Sequence, residues 1–340
     1  MASAETEIRH EALYFPDGDI VISAKNDNAN KIFFRVHKFI LSHHSPVFKD
    51  MFSLPAPQDN LRQSYDGVSQ VLEMSDRPDD LASLFRVLYD PATLPYKRYN
   101  PDTPLVCKGI LKLATKYQMD TLRNRIIEQI ISDWPKTLYE WDAIESHNAF
   151  FEKAPDSLKE QIIQSEPAAA IEIARLFDIP SILPAAFLQL TRTKIQNRWS
   201  ARPKDPKDRM CHYARWELLG AEDSLRIVEI TRSIHITVLC FQTFDLHKST
   251  GCSNVSYCET RLQWEFNIFS SHYPLSLDIL ADVACLSSYI SKNCKLCKSC
   301  DENISKRLKQ LRHNIWNESL CIANAEPWAA CCYLSLLDLI

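Results

Sequence analysis

The 340 residues are 46% hydrophobic and 24% charged, with 39 Lys plus Arg against 43 Asp plus Glu. This is an ordinary globular composition, and a formal net charge of −4 excludes a chain that is basic overall, as nucleic-acid domains are. Only five glycines occur, at 18, 67, 109, 220 and 251; they are too far apart to share a phosphate-cradling loop, which excludes Rossmann and P-loop sites.

The length suggests two or three domains at about 150 residues each. So few glycines supply few left-handed turn positions, so helices are expected over a large sandwich or barrel. Residues 1–13 lack the basic and apolar regions of a secretory signal. No apolar run reaches the roughly 18 residues of a membrane helix, so an intracellular protein, in cytoplasm or nucleus and without membrane contact, is expected.

After an acidic leader, Asp19 to Ser23 reads as a strand, Lys25 to Asn30 as a polar turn and Lys31 to Val36 as the hairpin partner. Helical stretches begin at His37 and at Ser45, with Pro46 acceptable in a first turn. Gln70 to Met74 alternates as a third strand. Asp79 can cap a helix through Leu81, Leu84, Phe85 and Leu88. A Pro- and Tyr-rich loop, Leu94 to Pro104, precedes helices at Leu105–Met119 and Thr121–Ile131.

This order resembles the BTB/POZ domain over residues 1–135. The most specific matches are Asp19 ahead of the first strand, the Val36-His37-Lys38 step, and Ser45-Pro46-Val47-Phe48 at the second helix. A proline-spaced insertion such as 94–104 is common in the fungal branch of that family. The resemblance implies a homodimer formed through the first helices and sheet, and recruitment of a cullin ubiquitin ligase or a transcriptional complex. Asp19, His37 and Lys38 have two readings: a hydrogen-bonded corner between strand and helix, or a charged pocket on the partner-binding face.

Residues 136–220 read as a helical extension, similar in role to the BACK-type module that follows BTB domains. Residues 111–130 superpose on 171–190 at an offset of 60, each as helix, corner and helix; shared packing and shared ancestry both explain it. Thr137 with Glu140 and Ser157 with Glu160 fit the capping-box spacing. Arg192 to Arg215 holds eight basic residues and two acids, read as an exposed linker, with phosphate contact as the alternative.

Residues 221–340 read as a cysteine-rich helical module, since eleven of twelve cysteines lie beyond position 210. Cys252 and Cys258 are followed by Cys294-x2-Cys297-x2-Cys300. Zinc takes four soft donors at tetrahedral corners, and a Cys-x2-Cys knuckle offers two thiolates from one turn. The segment from Leu296 to Cys300, followed by Ile304, Leu308, Leu311, Ile315 and Trp316, resembles the tail of fungal BTB proteins, where such a pair leads into a basic helix ending in tryptophan. The set implied is Cys252, Cys258, Cys297 and Cys300 around one structural zinc. Reduced, buried thiols are the competing assignment, and are the reading for Cys211, Cys240, Cys285, Cys321, Cys331 and Cys332.

Cys297, Cys300 and His313 match three ligands of a DNA-binding finger, but no histidine stands at 317–319. No GxSxG, HExxH or Cys with an identifiable base appears, so no enzyme is expected. The apolar stretch 328–340 is too short to span a bilayer and reads as a core helix or interface. The expected architecture is mainly α with a small α/β N-terminal domain: a BTB/POZ fold followed by helical modules. Its expected function is that of an interaction scaffold, the alternative being a nuclear regulator contacting DNA or chromatin through its basic, cysteine-rich end.

Overall fold

A computed structural model of the chain describes residues 6–54, 64–68, 71–95, 97–163, 165–203, 212–243, 251–272 and 278–324. The fold is mainly helical with a small mixed sheet near the N-terminus, in two compact units, Met1–Asp133 and Trp134–Ile340. The basic run centres on Ala201 to Arg209, of which residues 204–209 lie outside the described residues, as does the apolar stretch 328–340.

In the first unit, residues read as an acidic leader form strand β1 (Glu7–Tyr14). It is polar and mostly exposed and carries no apolar alternation. Its place comes from parallel pairing with β3 (Lys31–Val36), a long-range contact. The hairpin of β2 (Ile20–Lys25) and β3 runs in register from Ile20 opposite Val36 to Lys25 opposite Lys31. Its turn is closed by Asn26 Oδ1, which accepts the N–H groups of Asn28 and Asn30 at 3.0 and 2.9 Å. Strand β4 (Val71–Met74) lies parallel to β2, giving the order β1-β3-β2-β4.

The central strand β2 is buried on both faces. On one, Phe34 beside Ile22 meets Phe85 edge-on at 5.5 Å; on the other, Val21 and Phe33 are covered by Val68 and by Tyr65, stacked on Phe33 at 4.2 Å. Gly18 is required by close approach: a Cβ there would stand 3.0 Å or less from Arg35 and Val36.

Helices α1 (Lys38–His44) and α2 (Pro46–Ser53) follow. Buried Ser45 accepts the Phe48 N–H at 3.1 Å and donates to the Tyr117 carbonyl at 2.6 Å. Helix α3 (Pro78–Tyr89) starts one residue before the expected cap: Pro78 takes the first position, where its missing N–H costs nothing, and Asp79 sits inside the first turn. Helices α4 (Thr103–Lys116) and α5 (Asp120–Ser132) close the unit. Asp76, 6% exposed, binds Lys116 Nζ at 2.7 Å and the Tyr117 hydroxyl.

The second unit comprises α6 (Leu138–Glu152), α7 (Pro167–Phe177), α8 (Leu183–Thr191), α9 (Ala221–Thr243), α10 (Val255–His272), α11 (Ile279–Asn293) and α12 (Lys298–Asn324), with short 3₁₀ turns between. Helix α12 packs on α8, α9 and α11, burying Ile304, Leu308, Leu311, Ile315 and Trp316. It runs on for two turns past Trp316, so the tryptophan lies within the helix and meets Trp141 at 5.9 Å. Thr137 caps α6 through the Glu140 N–H at 3.2 Å, while the Glu140 carboxylate turns to the Lys136 N–H at 2.7 Å. Ser157 begins no α-helix; residues 156–161 form a 3₁₀ turn between Pro155 and Pro167.

The two superposed segments share one corner geometry. Gln118 and Asp178, 60 positions apart, take φ of 53° and 55°. Behind them Met119 N–H donates to Ala114 O at 2.7 Å and Ile179 N–H to Ala174 O at 2.9 Å, the bond that closes a helix end around a left-handed residue.

Among the described residues of 192–215, Arg192 and Arg215 do not behave as an exposed linker: each is paired with carboxylates, and that of Glu166 is buried. The Arg192 guanidinium, 9% exposed, grips both Glu145 oxygens at 2.8 and 2.7 Å and reaches Asp278 at 2.5 Å. Trp199 lies between Arg202 and Arg215 at 4.4 and 4.5 Å. Glu166 is fully buried. It accepts the N–H groups of Ala168, Ala169 and Arg215 at 3.1, 2.8 and 2.9 Å and pairs with the Arg215 guanidinium. Burial pushes its carboxyl up, against the pull of those donors. Glu166→Ala strands three buried donors and an arginine, and should cost about 3 kcal/mol. Glu166→Gln, which keeps one acceptor, should cost less, as read by chemical denaturation followed by circular dichroism.

Candidate metal centre and partner-binding corner

Two helix starts converge on four sulfurs. Cys252 precedes α10 in the turn after Gly251, whose φ is 93°. Asn254 caps that helix through the Tyr257 N–H at 3.2 Å, placing Cys258 on the first turn. At the second start Lys295, with φ of 48°, reverses the chain after α11. Cys297 then stands just before α12, its carbonyl accepting the Asp301 N–H at 3.0 Å, with Cys300 on the first turn. Each pair thus gives one thiol from a loop and one from the helix that follows.

The four Sγ atoms lie within 4.8 Å of one another. Cys252 and Cys297 Sγ stand 3.7 Å apart, near the edge of about 3.8 Å expected for a tetrahedron with Zn–S of about 2.3 Å. Cys258 and Cys300 are buried, Cys252 and Cys297 partly exposed. Backbone N–H groups of Cys300 and then Ser253 pull the Cys297 thiol down to about 6, while burial pushes Cys258 up, against the Cys297 N–H that reaches its sulfur.

Cys294 stands apart from this group. It caps α11, is fully buried, and burial raises its thiol while the Arg261 side chain lowers it. Its carbonyl accepts the Tyr257 hydroxyl at 2.9 Å, so it braces α10 through its backbone. His313 is exposed, more than three turns along α12 from Cys300. Cys285 and Cys321 are exposed, which corrects their reading as buried thiols: they lie on the outward sides of α11 and α12. Cys240 is half-buried, and Cys211, Cys331 and Cys332 lie outside the described residues.

In the first unit, Asp19 Oδ1 accepts the Lys38 N–H at 2.7 Å and the Asp19 N–H donates to Val36 O at 3.1 Å. Asp19 therefore caps α1 from outside, where His37, at the cap position, gives no side-chain bond. The Tyr89 hydroxyl accepts the His37 N–H at 2.8 Å and stands 2.8 Å from His37 Nδ1. On the other side of the ring, His37 Nε2 lies 3.4 Å from Asp17. Lys38 Nζ lies 5.9 Å from the Phe52 ring centre.

A β-hairpin with a parallel third strand, paired helices and this capped corner occupy one continuous stretch, and the family model for the BTB/POZ domain matches residues 17–133. This stretch is a BTB/POZ domain. It accounts for about a third of the chain and carries a general role in protein–protein interaction. No curated protein matches the chain.

Within the BTB/POZ domain, the Asp19 carboxylate is committed to the backbone, whereas the His37 ring and the Lys38 ammonium reach the surface. Asp19→Ala should lower stability by about 1 kcal/mol and Asp19→Asn, which keeps an acceptor, by only a fraction of that, in urea melts of the full chain. Equal losses for both would instead make the negative charge the operative feature.

Proposed function

We propose that this protein is a non-enzymatic adaptor of the fungal BTB type. Its BTB/POZ domain pairs with a second copy through the first helices and sheet, and its helical region, with a cysteine-containing C-terminal part, reads a target. The observation that carries the adaptor reading is the BTB/POZ match itself, a module that holds polypeptides. The division of the helical region at about residue 220 belongs to the same proposal, as do an intracellular site and recruitment of a cullin ubiquitin ligase. Among the described residues no helix is long and apolar enough to cross a membrane.

The metal reading is that Cys252, Cys258, Cys297 and Cys300 hold one structural zinc, supported by four sulfurs within 4.8 Å and by two helix N-termini aimed at them. Zinc there would supply a cross-link between the starts of α10 and α12, and four protein ligands leave no open position for catalysis.

A second reading, contact with DNA or chromatin, has one observation in its favour. Lys306, Lys309 and His313 project from the exposed face of α12 at helical spacing.

Light scattering of the full chain should give a dimer, and affinity capture with mass spectrometry from native cells should return cullin components. A monomer that instead retards DNA with steep salt dependence would move the assignment to the second reading. Elemental analysis should find close to one zinc per chain, lost on Cys297→Ser with Cys300→Ser. A zinc-free, fully folded protein would overturn the metal reading.

A further inference from the structure

Four sulfurs in one cluster are not equivalent toward a soluble oxidant. Cys258 and Cys300 are 1% and 3% exposed, whereas Cys252 and Cys297 are partly exposed. The two accessible sulfurs are also the pair 3.7 Å apart. Closing that gap to a bond of about 2.05 Å requires each sulfur to move by less than about 1 Å. Both sit in loops just ahead of helices, beside residues already in left-handed backbone, Gly251 and Lys295, so neither motion has to unwind a helix. Cys294, the other neighbouring thiol, is fully buried and faces Arg261 instead.

We propose that Cys252 and Cys297 form a peroxide-oxidisable pair whose disulfide expels the metal; this rests on the zinc reading given above. One of the two sulfurs attacks hydrogen peroxide, forming an S–O bond as the O–O bond breaks, and the departing hydroxide takes a proton to become water. The other thiolate then attacks that sulfur, the S–S bond forms as the S–O bond breaks, and the second hydroxide is protonated to water. Two thiolates are oxidised by two electrons, one peroxide is reduced to two waters, and two protons come from solvent. Only the Cys258 and Cys300 thiolates then remain as ligands, short of the four that closed structural zinc sites use. The disulfide keeps the α10 and α12 starts linked while removing the tetrahedral geometry that aligned them.

The test treats the zinc-loaded full chain with graded hydrogen peroxide, follows released zinc with a chromogenic chelator, and maps disulfides by mass spectrometry after alkylation. Zinc should leave completely near one molar equivalent of peroxide. The Cys252 and Cys297 peptides should become linked, and dithiothreitol with added zinc should restore the starting state. Replacing exposed Cys285 and Cys321 by alanine should leave release unchanged. Linkage of Cys258 to Cys300 or of Cys297 to Cys300, sulfinic acid without a disulfide, or zinc retained at doses that already oxidise Cys285 and Cys321 would overturn the proposal. Should the purified chain hold no zinc, the metal reading falls by itself. Mapping the oxidised metal-free chain then still decides whether Cys252 and Cys297 are the reactive pair.

Discussion

The backbone N–H groups at helix starts must be satisfied, and a chain with five glycines meets that demand with side chains. Asp19 reaches the first turn of α1 from nineteen positions earlier, Ser45 serves α2, Thr137 serves α6, Glu166 serves α7 and Asp278 serves α11. Left-handed corners fall to Gln118, Asp178 and Lys295, whose Cβ atoms make that conformation costlier than it is for glycine. The cysteine cluster follows the same plan in sulfur. Cys297 occupies the residue before α12, where a serine or aspartate commonly stands, and the Cys297 N–H reaches the Cys258 sulfur at 3.5 Å. A thiolate placed there faces the positive end of a helix, so the geometry that finishes the fold also favours the charge state a metal needs.

Legibility in the sequence followed the range of the interaction. The β2–β3 hairpin, the Ser45-Pro46 start and the buried stripe of α12 are set by neighbours a few residues apart, and their patterns could be read directly. Strand β1 could not be, because its polar residues are held by a partner strand some twenty residues on and only Leu13 in it is buried. The two ends of the 192–215 stretch were hidden for the same reason. Arg192 and Arg215 look solvated until Glu145, Asp278 and Glu166 are folded against them.

For the metal centre, spacing alone allowed two choices, since Cys294 and Cys297 stand the same distance apart as Cys297 and Cys300. What separates them is where the helices begin and end. Helix α11 ends at Asn293, so Cys294 closes it and turns inward to Arg261; Lys295 then reverses the chain, and the next two cysteines fall on either side of the start of α12. A reversal of that kind depends on one residue's backbone angle, and lysine carries no signature of it. In the first unit the corner was readable in kind, yet the partner of the His37 backbone and ring, Tyr89, stands fifty-two positions further along.

The cluster and the core of the second unit are continuous. Along α12, Cys300, Ile304, Leu308, Leu311, Ile315, Ser319 and Ala323 form a buried stripe at spacings of three and four, with buried Trp316 beside it. Its far end is tied by Arg175, which donates to the Ala323 carbonyl at 3.0 Å. Cys300 is therefore both the first residue of a packed stripe and a member of the sulfur group. Were a metal held there, its ligation energy would be folding energy, delivered at the end of a helix about 40 Å long. Helix α10 lacks a stripe of that extent. Leu262 and Phe266 bury its inner side, while Tyr257 and Trp264 remain largely exposed. Of the two helices that start at the cluster, α10 has the smaller apolar anchorage, and a cross-link through its sulfurs would add the more to it.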